Sequence, residues 1–164
     1  MKLLKEVAFA TALSLAALWA SAADAHEIKI GDLVIHHPWI KPAPAGTAAA
    51  AYTVIDNKGK VNDKLLSITV EGVPTVQIHE MKMEGDVMKM NELPGGLPLP
   101  AGKSVEVKPK SFHIMLMGLK SQPMEGEELK GTMTFEKAGK VDVDFEVVAP
   151  GVDDDAAMAG MKMK

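Results

Sequence analysis

Residues 75–91 read Thr75-Val76-Gln77-Ile78-His79-Glu80-Met81-Lys82-Met83-Glu84-Gly85-Asp86-Val87-Met88-Lys89-Met90-Asn91. In an extended chain alternate residues share a face. His79, Met81 and Met83 therefore point one way, and Glu80 and Lys82 the other. Glu84-Gly85-Asp86 has the chemistry of a tight turn and folds the segment back on itself, with Met88 and Met90 on one face of the returning strand. This stretch is a β-hairpin with no helical repeat.

The same pattern runs outward in both directions. Period-two segments fall at Glu27–Ile30, Leu33–His36, Ala50–Asp56, Lys64–Val70, Thr75–Met83, Val87–Asn91, Ser104–Lys108, Phe112–Leu119, Lys130–Glu136 and Lys140–Val148. Between them lie Gly31-Asp32, Asn57-Lys58-Gly59, the Pro94–Gly102 stretch, Glu125-Gly126 and Ala138-Gly139-Lys140, all rich in turn formers. Pro42-Ala43-Pro44-Ala45-Gly46 reads as a loop. Short strands broken this often make an all-β domain, an antiparallel β-sandwich or barrel. No internal repeat is visible.

The ends read differently. Lys2 and Lys5 precede an apolar run from Val7 to Ala20, followed by the small-residue sites Ala20-Ser21-Ala22 and Ala23-Asp24-Ala25. That is the layout of a secretory signal peptide, residues 1–25, with cleavage after Ala25 favoured over Ala22. The folded domain then spans 26–149, and residues 150–164, with Asp153-Asp154-Asp155, Met158, Met161 and Met163, form a flexible methionine-containing tail. The expected location is the periplasm, as a soluble exported protein with no membrane span after cleavage. The chain of 164 residues has no cysteine, so neither disulfides nor a lipid-bearing cysteine are available. Every one of its 18 basic residues is lysine and its net charge is -4, which argues against nucleic-acid binding.

Six of the 12 methionines, and two of the five histidines, fall between positions 79 and 117. His113, Met115 and Met117 share a strand face, with Phe112, Ile114 and Leu116 on the other. Thioethers and imidazoles together suit Cu(I) better than Zn(II), Mg(II) or Ca(II). They need no deprotonated thiol, which suits an oxidising compartment. Two readings stand side by side. Methionine also fills cores, and a stripe of it is by itself more often an inner sheet face than a metal site. His113, however, sits among residues apolar on both faces, where an imidazole requires a partner or a metal.

His79-Glu80-Met81, Met88-Lys89-Met90 and His113-Ile114-Met115-Leu116-Met117-Gly118-Leu119 resemble the periplasmic copper chaperones of the PCu(A)C family. The resemblance extends through Gly31-Asp32-Leu33, His37-Pro38-Trp39, Ala51-Tyr52, Asn57-Lys58-Gly59, Pro100-Ala101-Gly102 and Thr134-Phe135. It implies a cupredoxin-like, Greek-key β-sandwich that binds Cu(I). The family's pattern is His or Met, ten residues, Met, about twenty-one residues, then His-x-Met. Here ten residues separate His79 from Met90 and twenty-two separate Met90 from His113. Carried over, the ligands are His79, Met90, His113 and Met115, and the one-residue difference, placed in the Pro94–Gly102 loop, leaves Met88 as the alternative to Met90. The resemblance also implies delivery to the copper site of cytochrome c oxidase subunit II, alongside Sco-type copper proteins.

Enzyme motifs are missing, and the expectation is a non-enzyme. There is no cysteine for a blue-copper centre, no phosphate-cradling glycine loop and no recognisable nucleophile. His36 and His37 are adjacent in an extended chain and face opposite ways. His26, if cleavage makes it the amino terminus, would offer its amine and imidazole to Cu(II) as a second, terminal site of a copper enzyme, but no second histidine stands at a suitable place, and the competing reading is an exposed, mobile terminal residue. The same residues are also compatible with a copper resistance or storage protein, and with a metal-free sandwich serving as an interaction module.

Overall fold

The computed structural model describes residues 27–149. The expected signal peptide, His26 and the 150–164 tail lie outside the described residues. The chain forms β1 (Glu27–Ile30), β2 (Leu33–Lys41), β3 (Ala49–Asn57), β4 (Asp63–Val70), β5 (Thr75–Glu84), β6 (Val87–Glu92), β7 (Leu97–Leu99), β8 (Ser104–Val107), β9 (Phe112–Met117), β10 (Glu128–Phe135) and β11 (Lys140–Val147). No helix occurs among the described residues.

Alternation dictates the packing. In β11, Val143, Phe145 and Val147 turn inward while Asp142 and Asp144 face water. The strands join one curled sheet in the order β6-β5-β9-β8-β3-β2-β11-β10-β4-β7, with β1 paired to β2. The curl brings β4 close to β5. Ile78 and Ile114 from one half then share a core with Leu65, Met133 and Phe145 from the other, so the sheet packs on itself as a sandwich. The expectation of antiparallel pairing needs one correction: β2 runs parallel to β11, and β8 parallel to β9. These are long-range meetings that no turn chemistry encodes.

Two further departures have local causes. β2 does not stop at His36. It continues to Lys41 through a bulge between His36 and Trp39, where His37 takes φ 34°, and the bulge absorbs a proline that has no N–H for the ladder. β7 hides inside the Pro94–Gly102 stretch, where Leu97 and Leu99 are buried against β4. Gly96 makes this close approach possible, because it takes φ 83° and a Cβ there would meet the Leu65 carbonyl oxygen at 2.5 Å.

Asn57 ties β7 to the end of β3. Its buried amide donates to the carbonyls of Val61 and Leu99, both at 2.9 Å, and accepts from the Gly59 amide at 3.0 Å. Asn57→Ala leaves the Leu99 carbonyl without its donor, and the expected cost is about 2–3 kcal/mol. It is read as a lower urea midpoint at unchanged slope; an unaltered midpoint would show that the amide carries no such load.

Candidate metal centre

Three adjacent strands, β6, β5 and β9, carry every methionine and histidine singled out between positions 79 and 117. The β5–β9 ladder sets His79 directly opposite His113 and Gln77 opposite Met115. The β5–β6 ladder sets Met81 opposite Met90 and Met83 opposite Met88. Directly paired residues share a face, as do residues two apart. His79, His113, Met81, Met90 and Met115 therefore occupy one face, while Ile78, Ile114 and Leu116 occupy the other and enter the core. The stripe of His113, Met115 and Met117 is accordingly not the inner face of the sandwich.

The two imidazoles form the centre of this face. Their ring centroids are 5.6 Å apart, with planes at 55°. A first-row ion about 2 Å from a ring nitrogen lies about 3 Å from the ring centre, so two rings sharing it stand no more than about 6 Å apart. The observed spacing satisfies that limit. His113 is only 4% exposed. Three buried side-chain polar atoms lack a hydrogen-bond partner among the described residues, and two of them are Nδ1 of His79 and Nδ1 of His113. The third, Trp39 Nε1, belongs to a ring packed 4.6 Å from Tyr52. A buried nitrogen without a partner costs on the order of 1–3 kcal/mol. That cost is recovered when the lone pair meets a metal.

Gln77 was not legible as part of this centre. Its Oε1 lies 3.0 Å from Nε2 of His79. With Nε2–H donating to that oxygen, the lone pair of His79 is left on Nδ1, the unpartnered atom. Outer hydrogen bonds of this kind fix the tautomer and orientation of metal-binding histidines. The signal was present in period two, since Gln77 precedes His79 by two residues, but a glutamine in a strand has no metal chemistry of its own.

The thioethers surround the imidazoles unequally. Met115 lies one two-residue step from His113 along β9, and Met90 lies on β6 one step from the level of His79, on the opposite diagonal. Cross-strand diagonals span about 7–8 Å, within reach of long side chains. Both thioethers must lean inward to share an ion with the rings. Met88 lies a further two residues toward the hairpin tip, about 7 Å farther, so register places Met90 nearer to His79. Met81, outside the expected set of four, is half-buried on the same face, opposite Met90. No three of His, Cys, Asp and Glu gather as a metal site among the described residues. A coordination shell around the histidine pair would draw its further donors from the thioethers on this face, and such a mixed shell would suit a soft ion.

His36 and His37 take no part. His36 lies between Glu27 and Asp56, at 3.3 and 3.0 Å, and His37 meets Glu146 at 3.1 Å. A cleft of about 330 Å³ lies elsewhere, lined by Thr69, Glu71, Lys130, Thr132, Asp142 and Asp144. Its polar, lysine-containing wall has no soft donor. The centre is a surface face and needs no cavity to take a bare ion.

Burial pushes the pKa of His113 below its ordinary value; a backbone hydrogen bond at Ser111 opposes this, and the neighbouring His79 reinforces it. Unfolded imidazoles titrate near 6.5. As pH falls through that value the unfolded chain takes up a proton that folded His113 refuses. The contribution of His113 to metal-free stability is therefore full above about pH 6.5, declines below it, and is gone once pH lies beneath the folded pKa. Denaturant midpoints measured from pH 7.5 to 5 should fall in the wild type and fall less steeply in His113→Phe. Equal slopes would contradict the assignment.

The family described as "Putative lipoprotein LpqE-like" matches residues 33–147. A "Putative lipoprotein Lxx21020" of Leifsonia xyli subsp. xyli is 31% identical over 97 residues, which is 59% of this chain and 58% of that relative's length. Solved PCuAC domains share the fold. The apo domain of PmoF1 is 29% identical with a TM-score of 0.65, over 76% of this chain and all of that one. The copper-bound domain of PmoF2 is 28% identical with a TM-score of 0.64, over 76% of this chain and 99% of that one. Cu(I)-bound DR1885 of Deinococcus radiodurans, 21% identical with a TM-score of 0.60 over 82% and 87% of the two chains, bears on the fold alone. The architecture is PCuAC-like, and by sequence the chain belongs to the LpqE-like family.

Proposed function

We propose that the protein is an exported copper chaperone that binds Cu(I) through His79, His113, Met115 and Met90 and releases it to an acceptor. The observation that carries this reading is the opposed histidine pair, His113 buried and His79 half-buried, with both Nδ1 atoms buried and unpartnered, on a face otherwise furnished with thioethers. The copper-bound PmoF2 domain, alike in fold and 28% identical, supports it. Neutral imidazole and thioether ligands leave a Cu(I) ion with no compensating anion, and such bonds exchange readily. A thiolate-bearing acceptor then takes the ion downhill. Binding, holding and release of an ion require no bond-making chemistry in the protein, so the role is that of a carrier and not an enzyme.

Delivery to the copper site of cytochrome c oxidase subunit II, with Sco-type proteins as companions, is the acceptor route we favour from the sequence resemblance. The periplasm is the compartment this route requires. The lipoprotein name of the family adds a point about anchoring: none of the 164 residues is cysteine, so no residue of this chain can carry a cysteine-linked lipid. No helix among the described residues is long and apolar enough to cross a membrane.

The reading is checked by anaerobic titration of Cu(I) against a chromophoric competing chelator. The wild type is expected to hold one equivalent tightly, and a Met90→Ala, His113→Ala double variant to bind at least about 100-fold more weakly, about 2.7 kcal/mol. Equal competition by the two proteins would reject the site. Gln77→Leu frees the ring of His79 to rotate and to change tautomer, and should weaken Cu(I) binding by about 10–100-fold while leaving thermal stability of the metal-free protein within a degree or two. An unchanged affinity would remove Gln77 from the centre.

A further inference from the structure

We infer that Met83 and Met88 form a second, outer site for a soft monovalent cation, Cu(I) or Ag(I), one rung beyond the histidine centre on the β5–β6 hairpin. The inference rests on the copper reading above and extends it to the path the ion takes. Its first support is register. Met81 faces Met90 across the ladder, and Met83 faces Met88 on the next rung outward. Both rungs lie on the face that carries His79 and His113. Four thioethers therefore lead in two steps from the paired rings toward the hairpin tip.

Exposure supplies the second support. Met83 is 57% exposed and Met88 46%, so the usual reason for methionine, filling a core, does not apply to this pair. The opposite face of the same hairpin pairs Lys82 with Lys89 and Glu80 with Asn91. A polar rung is thus compatible with this edge, yet the histidine-bearing face carries sulfur at both levels.

Geometry permits a bound ion. Directly opposed side chains have Cβ atoms about 4.5–5.5 Å apart. Two sulfurs at about 2.3 Å each from a central ion span about 4.6 Å. A pair of flexible methionines, each with three rotatable bonds, reaches that arrangement without moving the backbone. Lacking an imidazole, the outer pair binds more weakly than the centre, and it is open to solvent. Those are the properties of a landing and departure point. An ion taken up there passes to the half-buried Met81 and its partner Met90, a step of about 7 Å along the strands, and then to the rings.

The test uses the full chain labelled with ¹³C at its methionine methyls and ¹⁵N in its histidine rings, titrated with Ag(I), with each methyl assigned by single substitution. The first equivalent should shift the His79 and His113 ring nitrogens, and further Ag(I) should shift the Met83 and Met88 methyls. In a Met83→Leu, Met88→Leu variant, which keeps the apolar packing and removes only sulfur, affinity for the first equivalent should stay within twofold. Stopped-flow uptake of Cu(I) from a weak donor should slow by about tenfold. If the ring nitrogens respond while Met83 and Met88 stay fixed at saturation, the outer site is wrong and the centre stands. Later shifts confined to Met158, Met161 or Met163 overturn it in the same way. If neither ring nor hairpin methyl responds, the copper reading falls and the outer site with it.

Discussion

The pairing of His79 with His113 across the β5–β9 ladder is the constraint on which the rest turns. Two imidazoles directly opposite one another in a sheet, one of them fully buried and both with an unpartnered Nδ1, form an arrangement that folding alone does not favour. A slip of β5 by one residue against β9 would send the His79 ring into the core and bring Ile78 to the thioether face, away from His113. Ile78 and Ile114 belong to the same buried core as Leu65, Met133 and Phe145 from the other half of the sandwich. The hydrophobic core thereby fixes the register, and the register fixes the centre.

This coupling explains why the centre sits on a sheet face near an edge and not in a cavity. β5 is the last strand whose inner face reaches the core, through Ile78, and β6 beyond it is exposed throughout. Moving outward from β9 to β6 the donors become progressively more accessible: His113 is buried, His79 and Met81 are partly so, and Met90 is 49% exposed. Such a gradient suits the carrier role proposed above: the more buried rings would supply grip and exclude water, while the exposed sulfurs would leave a side from which an acceptor could compete for the ion.

The fold was largely legible because most of its strands are amphipathic. Alternation in Lys140–Val147 and the turn at Glu84-Gly85-Asp86 carry their own structural instructions, and the structure follows them. The failures came where tertiary contact overrode local chemistry. Leu97 and Leu99 lie in a proline- and glycine-rich stretch that reads as a loop, and only the buried face of β4 makes it a strand. Pro38 reads as a strand end, and a bulge carries β2 past it. The parallel contacts of β2 with β11 and of β8 with β9 join segments distant in sequence, which no local pattern encodes. At the centre, period two grouped the residues of each strand correctly, yet whether β9 would lie beside β5 could not be read from the chain. Gln77 was invisible for a further reason: its part depends on the position of a neighbouring ring nitrogen and not on its own residue type.

The central claim is that imidazole and thioether ligands together hold one Cu(I). Copper K-edge X-ray absorption on the one-to-one Cu(I) protein tests it most directly, because the fine structure separates nitrogen from sulfur neighbours and the outer-shell scattering of imidazole rings identifies histidine. The account predicts a reduced-copper edge and a first shell containing both nitrogen and sulfur, with ring scattering from two imidazoles. A shell of light atoms alone, or of sulfur alone without ring scattering, would contradict it.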